Sequence, residues 1–211
     1  TQSFTYTPAT TDLGSHILKV TVSNNEGSVS AEWDITVVLM EFAWQESYGG
    51  SGDDVATAVQ QTADGGYILA GYSNSTNLSG TINHGDYDVY LVRLDTAGNV
   101  QWQVQYGGSG VDKAYAVALT ADGGFLVAGS STSQDITGVT THGGSDFYLL
   151  KLSSAGVVEW QAQYGGSSDD NGRALQITRD GATVIAGDSS SLLASDGRLL
   201  SLTSSGAVIW D

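Results

Sequence analysis

Trp102-Gln103-Val104-Gln105-Tyr106-Gly107-Gly108 occurs three times in this chain with little change. It is preceded by Trp44-Gln45-Glu46-Ser47-Tyr48-Gly49-Gly50 and followed by Trp160-Gln161-Ala162-Gln163-Tyr164-Gly165-Gly166, the tryptophans standing 58 residues apart. A segment recurring in register at that period marks a tandem array, in which each unit is one supersecondary element that needs its neighbours to bury its apolar surface.

Working outward from Trp102, the turns divide the repeat. In the first copy, Ala56 to Thr62 reads as a strand, Asp64-Gly65-Gly66 as a turn and Tyr67 to Tyr72 as a second strand. Ser73 to Asp86 is a long polar loop, Asp88 to Leu94 a third strand, Asp95-Thr96-Ala97-Gly98 a turn, and Val100 to Tyr106 a fourth strand. The second copy follows it position by position: Ala114 to Thr120, Asp122-Gly123-Gly124, Phe125 to Ser130, Asp146 to Leu152, Ser153 to Gly156 and Val157 to Tyr164. The third is degenerate, with Asp180-Gly181-Ala182 in its turn and a loop shortened so that Trp160 and Trp210 are 50 residues apart. Four short strands joined by glycine-bearing turns and one polar loop describe a four-stranded antiparallel sheet per repeat. In Tyr90-Leu91-Val92-Arg93-Leu94 and Tyr148-Leu149-Leu150-Lys151-Leu152 apolar residues fall at odd and even positions alike. Both faces of each sheet must then be covered, and neighbouring sheets are the cover at hand.

The stretch from Glu41 onward resembles bacterial and archaeal β-propeller repeats, through Trp102-Gln103-x-x-Tyr106-Gly107-Gly108, Asp122-Gly123-Gly124-Phe125-Leu126-Val127-Ala128-Gly129 and Leu94-Asp95-x-x-Gly98-x-x-x-Trp102. It is also similar to Kelch-like blades, with their glycine-bearing second strand, and to quinoprotein-like blades, with a turn glycine followed by a docking tryptophan. The resemblance implies an all-β fold of four-stranded antiparallel β-propeller blades at about 51–108, 109–166 and 167–211, with 41–50 as a fourth-type strand. Three blades are fewer than the 4 to 8 of a closed ring, so an incomplete ring is expected, finished by more of a longer protein or by further copies of the chain.

Residues 1–40 lie outside the repeat. They read as strands by alternation, Ser3 to Thr7, His16 to Ser23 and Ser28 to Leu39, with Asn24-Asn25-Glu26-Gly27 as a hairpin turn. This stretch resembles the C-terminal part of an immunoglobulin-like or PKD-type extracellular β-sandwich, in Phe4-Thr5-Tyr6-Thr7-Pro8, Leu13-Gly14-Ser15-His16 and Val20-Thr21-Val22-Ser23-Asn24. A whole sandwich of that type needs about seven strands and about 100 residues, so only part of it is expected here.

Composition narrows the function classes. With 23 acidic residues against seven basic ones, the net charge is −16, which disfavours nucleic acid and anionic membrane surfaces as partners because both require a basic footprint. No apolar run approaches the length of a membrane-spanning helix, so no membrane insertion is expected. The chain has no cysteine, hence neither a disulfide framework nor a thiolate site. No nucleophile elbow, phosphate loop or zinc signature is present. Asn74 and Asn77 each begin an Asn-x-Ser/Thr sequon in a Ser/Thr/Asn-rich loop.

Two sets of aspartates recur: Asp54, Asp112 and Asp170 before each first strand, and Asp88, Asp146 and Asp196 at the end of each long loop. Blade topology puts both sets on one rim. Carboxylates among loop carbonyls suit a hard cation such as calcium. Alternatively, each aspartate accepts hydrogen bonds from the amides of the adjoining Gly-Gly and Ser turns and fixes sheet geometry, and its return in every repeat favours that structural role. Asp64, Asp122 and Asp180 belong to hairpin turns on the opposite rim. His84 and His142 read as loop anchors, and the tryptophans and the Tyr-Gly-Gly tyrosines as packing between sheets.

From these residues a non-enzymatic structural or adhesive module of a secreted or cell-surface prokaryotic protein is expected, with a role in appendages or matrix. Its partners would be other proteins or further copies of itself. The alternatives are a carbohydrate- or calcium-dependent ligand-binding propeller, and part of a quinone-dependent or glycan-active enzyme whose site residues lie elsewhere. No cofactor is implied apart from calcium.

Overall fold

The computed structural model describes residues 14–24, 27–37, 45–190 and 196–211 and divides into two compact units, Thr1–Ala43 and Trp44–Asp211. In the first unit β1 (Gly14–Asn24) and β2 (Gly27–Val37) form an antiparallel hairpin in which Asn24 pairs with Gly27. The strand read at Ser3 to Thr7 lies outside the described residues.

The second unit is all-β. Its first sheet is β3 (Asp54–Gln61), β4 (Tyr67–Ser73), β5 (Asp88–Leu94) and β6 (Val100–Tyr106). The second is β7 (Asp112–Leu119), β8 (Phe125–Ser131), β9 (Asp146–Leu152) and β10 (Val158–Tyr164). The third is β11 (Asp170–Ile177), β12 (Thr183–Ser189), β13 (Asp196–Leu202) and the short β14 (Val208–Trp210). In each, sequence order is spatial order and all pairings are antiparallel.

First strands begin two residues before the alternation signal, at Asp54 and Asp112 rather than Ala56 and Ala114. The reason is a β-bulge, which puts one extra residue in the strand and breaks its period of two. The register slips between Ala56 and Ala58, between Ala114 and Ala116, and between Gly172 and Ala174. Opposite each bulge stands a second-strand glycine. A Cβ on Gly71, Gly129 or Gly187 would lie 1.8, 1.8 and 1.9 Å from the carbonyl oxygens of Val55, Lys113 and Asn171. The recurrent Ala-Gly of the second strand is therefore required by the close approach of another backbone.

Residues 45–50, read as a fourth-type strand, carry no strand. A fourth strand is held by a third, and no described strand pairs with this segment, although Tyr48 packs on the face of the first sheet.

The middle strands are buried on both faces, as their unbroken apolar pattern requires. Val89 and Leu91 join Ile68 and Ala70 against Val117, Phe125, Val127, Tyr148 and Leu150 of the second sheet. Alternate residues of that sheet, Leu126, Ala128, Phe147 and Leu149, pack on Ile185, Leu200 and Leu202 of the third. On the other face of the first sheet, Tyr90, Val92 and Leu94 gather Leu78, Tyr48, Tyr67 and Leu69. Each such aliphatic side chain contributes about 1.5–3 kcal/mol when fully buried, so the stacking of sheets, more than the pairing of strands, sets where the core lies.

The sheets approach most closely at their first strands: β7 packs on β3, β4 and β5, and β11 on β7, β8 and β9. Fourth strands reach the next sheet through large side chains instead. Trp102 meets Phe125 edge-on with ring centroids 5.9 Å apart, and its indole nitrogen donates to Ser154 O at 3.3 Å. The hydroxyls of Tyr48, Tyr106 and Tyr164 donate to the carbonyls of Gly98, Gly156 and Gly206 in the next third-to-fourth-strand turn. Gly156 has φ 78°, a conformation that strains any side chain, and a Cβ there would crowd the docked Trp102 ring at 3.2 Å.

Candidate functional site

The polar residues of the repeat collect at one end of the sheets, where the register aligns Asp54 with Ser73 and Ser73 with Asp88. Asp54 and Asp88 thus share a rim, as do Asp112 and Asp146 across Ser131. The glutamines of the Trp-Gln-x-Gln-Tyr segment tie the long loop down. Gln103 donates to Ser79 O at 2.9 Å and accepts from the Tyr90 hydroxyl at 2.6 Å, while Gln105 donates to Ser75 O at 3.1 Å. Gln161 and Gln163 do the same in the second repeat, to Thr137 O at 3.1 Å and Ser133 O at 3.2 Å.

The first set of aspartates receives the Gly-Gly turn. Gly50 N, Gly108 N and Gly166 N donate to Oδ2 of Asp54, Asp112 and Asp170 at 2.8, 2.8 and 2.7 Å. Ser75 and Ser133 hydroxyls add bonds of 2.9 and 2.7 Å to Asp54 and Asp112. The second set receives the histidines: His84 N and Nδ1 lie 2.7 and 2.9 Å from Asp88 Oδ2, and His142 N lies 2.8 Å from Asp146 Oδ2. The sequon asparagines act likewise, Asn74 Oδ1 accepting from Asp53 N at 2.6 Å and Asn77 Oδ1 from Ser51 N at 2.8 Å. Thr132 and Asp135 take those positions in the second repeat, accepting from Val111 N and Ser109 N at 2.8 and 2.9 Å.

Of the six aspartates singled out in the sequence, the fold brings four together as two pairs. Asp88 Oδ1 and Asp112 Oδ2 converge on Gly107, 2.6 and 2.4 Å from the point a Cβ there would occupy. Asp146 Oδ1 and Asp170 Oδ2 converge in the same way on Gly165, at 2.1 and 2.8 Å. Each pair joins a third strand of one sheet to the first strand of the next, and all four residues are buried. Asp54 is bound within its own sheet and Asp196 is exposed at the start of β13. Burial is the main cause raising the carboxyl pKa of Asp88, Asp112 and Asp146, and the facing Asp112 and Asp170 push Asp88 and Asp146 further the same way. Asp88 Oδ1 and Asp146 Oδ1 have no hydrogen-bond partner. No group of three or more His, Cys, Asp or Glu suited to a metal ion occurs among the described residues.

At the opposite end the hairpin aspartates do more than shape turns. Arg93, 7% exposed within an otherwise apolar strand, places its guanidinium 2.7 and 2.6 Å from the two oxygens of Asp64, and Lys151 lies 2.8 Å from both Asp122 and Glu159. The signal was one basic residue at the same place in two strands of apolar residues. Asp64 is held down at about 2 by the Thr62 hydroxyl, then Arg93 and the Gly66 amide. A depressed carboxyl stabilises the fold fully above its unfolded pKa of about 4 and ceases to do so as pH falls through about 2. Asp64→Asn should therefore lower the melting temperature at pH 7, and the difference from wild type should close as pH falls from about 4 to about 2. A difference that persists unchanged at pH 2 would show that the pair is not what Asp64 contributes.

Fold and site together define an all-β repeat protein of stacked four-stranded antiparallel sheets. No family model matches the chain. Over 146 residues it is 26% identical to a protein named regulatory protein FlaEY, from Caulobacter vibrioides, a match covering 61% of this chain and 15% of that protein. The chain thus spans a small part of that relative's length.

Proposed function

We propose that the three sheets are blades of a β-propeller that more chain or further copies complete, and that residues 1–40 belong to an immunoglobulin-like or PKD-type module. In this reading the protein is a non-enzymatic structural or adhesive unit of a secreted or cell-surface prokaryotic protein. The observation that carries it is where the recurring reactive-looking residues are used. Both histidines and the buried rim aspartates are engaged with loops of their own or the adjoining sheet, and Trp102, Tyr106 and Tyr164 with the next sheet. Side chains committed to holding sheets together are not free to move protons or bonds in a substrate. Sheets close at their first strands and spaced by aromatic side chains at their fourth also suit a wedge, the shape that blades around an axis require.

The name of the Caulobacter relative speaks of regulation. With 15% of that protein matched, the shared part is as consistent with a common scaffold as with a common role.

The test is twofold. Antibody raised against this chain should label intact cells of the source organism, and the purified protein carrying it should show no turnover on a panel of glycans and peptides. Sustained turnover lost on mutating residues within 45–211 would contradict the reading, as would labelling only after lysis.

A further inference from the structure

We infer that the buried junction between the first and second sheets, formed by Asp88 and Asp112 beside Gly107, binds a hard divalent cation of the calcium class. The inference does not depend on whether the sheets belong to a propeller.

The charge inventory leads there. Asp88 and Asp112 are each 0% exposed, and their oxygens converge on one side of Gly107. On each carboxylate one oxygen is occupied by two donors: Asp88 Oδ2 by the main-chain and ring nitrogens of His84, Asp112 Oδ2 by Gly108 N and the Ser133 hydroxyl. Acceptor-only use of that kind is what an ionised carboxylate does. Asp88 Oδ1 is then a bare buried oxygen turned toward another carboxylate, an arrangement that costs several kcal/mol without a compensating positive charge.

A second, independent observation comes from the neighbouring junction. In the third sheet Arg198 pairs with Gly187, the place that Tyr148 takes opposite Gly129 in the second sheet. Its guanidinium, which also pairs with the Asp211 carboxylate, reaches Asp170 Oδ1 at 3.2 Å, so an arginine of the chain is bonded to one member of the Asp146–Asp170 pair. Tyr148 offers nothing equivalent to Asp112, because its hydroxyl is given to Gln161 Oε1 at 2.7 Å. Lys113, next in sequence to Asp112, stacks on Tyr72 and Tyr87 instead, 4.5 and 4.8 Å from their ring centroids. Among the described residues the basic side chain in ion-pair reach of the first pair is His84, 44% exposed. One junction therefore has an arginine on one of its two carboxylates, shared with Asp211, and the other has the same paired carboxylates with a histidine in its place. Two carboxylates and oxygen-only chemistry match calcium, which commonly completes its shell with water.

The test is calorimetry and thermal melting of the whole chain, freed of metal with EDTA and titrated with calcium chloride at pH 7.5. Expected is one ion bound per chain, with a melting temperature raised by about 5–10 °C at a hundred times Kd. Asp88→Asn should remove both the binding heat and the shift. Arg198→Tyr should add a second calcium-responsive site by emptying the other junction of its guanidinium. Absence of heat and of any melting shift with millimolar calcium or magnesium would overturn the inference. So would stability that ignores metal but rises as pH falls from 8 to 5, since the pair would then be sharing a proton. If Asp88→Asn does not fold, Asp112→Asn is read in its place, and the wild-type titration decides on its own.

Discussion

Gly129→Ala should destabilise the protein by about 3 kcal/mol or more, lowering the melting temperature by about 6–12 °C. One methyl group is enough because it has nowhere to go: it would stand 1.8 Å from Lys113 O and 2.9 Å from Ala114 Cα, both backbone atoms of the bulged strand. A flexible side chain could turn aside, but a bulge in a paired strand moves only by breaking its ladder. Gly197→Ala is the control, since a Cβ there meets nothing within 4 Å, and it should change the melting temperature by no more than a degree or two. Equal effects from the two substitutions would show that second-strand glycine is not serving the bulge.

Trp102→Ala should cost about 3 kcal/mol, near the lower end for large aromatic deletions because the ring is half-buried. The loss falls between sheets, on Phe125, Gly156 and the bond to Ser154 O. In an array whose units are stabilised by their neighbours, weakening one interface should also broaden the unfolding transition. Trp210→Ala, at a ring 48% exposed, should cost about 1 kcal/mol or less. If chemical denaturation shows Trp102→Ala to be as mild as Trp210→Ala, the indole does not hold adjacent sheets together.

Much of this arrangement was legible in the sequence because it repeats. The 58-residue interval places the turns of the first two repeats and the first turn of the third, and apolar residues at both parities in Tyr90-Leu91-Val92-Arg93-Leu94 announce two covered faces. The rim location of the aspartates and the anchoring role of His84 followed from position within the unit. What periodicity could not give was anything crossing between repeats. Pairing of Asp88 with Asp112 rather than with Asp54 depends on how one sheet lies on the next, and no spacing encodes that. The bulge hides for a different reason: it shifts the alternation it is read from, so Thr57 and Tyr115 look like ordinary strand residues. Arg93 and Lys151 sit in strands that are otherwise apolar, and their partners Asp64 and Asp122 lie 29 residues earlier, beyond the reach of any local pattern. Residues 45–50 repeat the sequence of later fourth strands yet form none, because pairing depends on a neighbour as much as on sequence.

Face-to-face stacking of successive sheets through their fourth-strand aromatics is tested most directly by the proton NMR spectrum of Gly156. The Cβ direction of this glycine, occupied by one of its α-protons, points at the Trp102 ring 3.2 Å away, so that proton should be shifted strongly upfield and show a nuclear Overhauser effect to the indole. A Gly156 resonance at its random-coil position, with Trp102 contacts confined to the first sheet, would contradict the stacking.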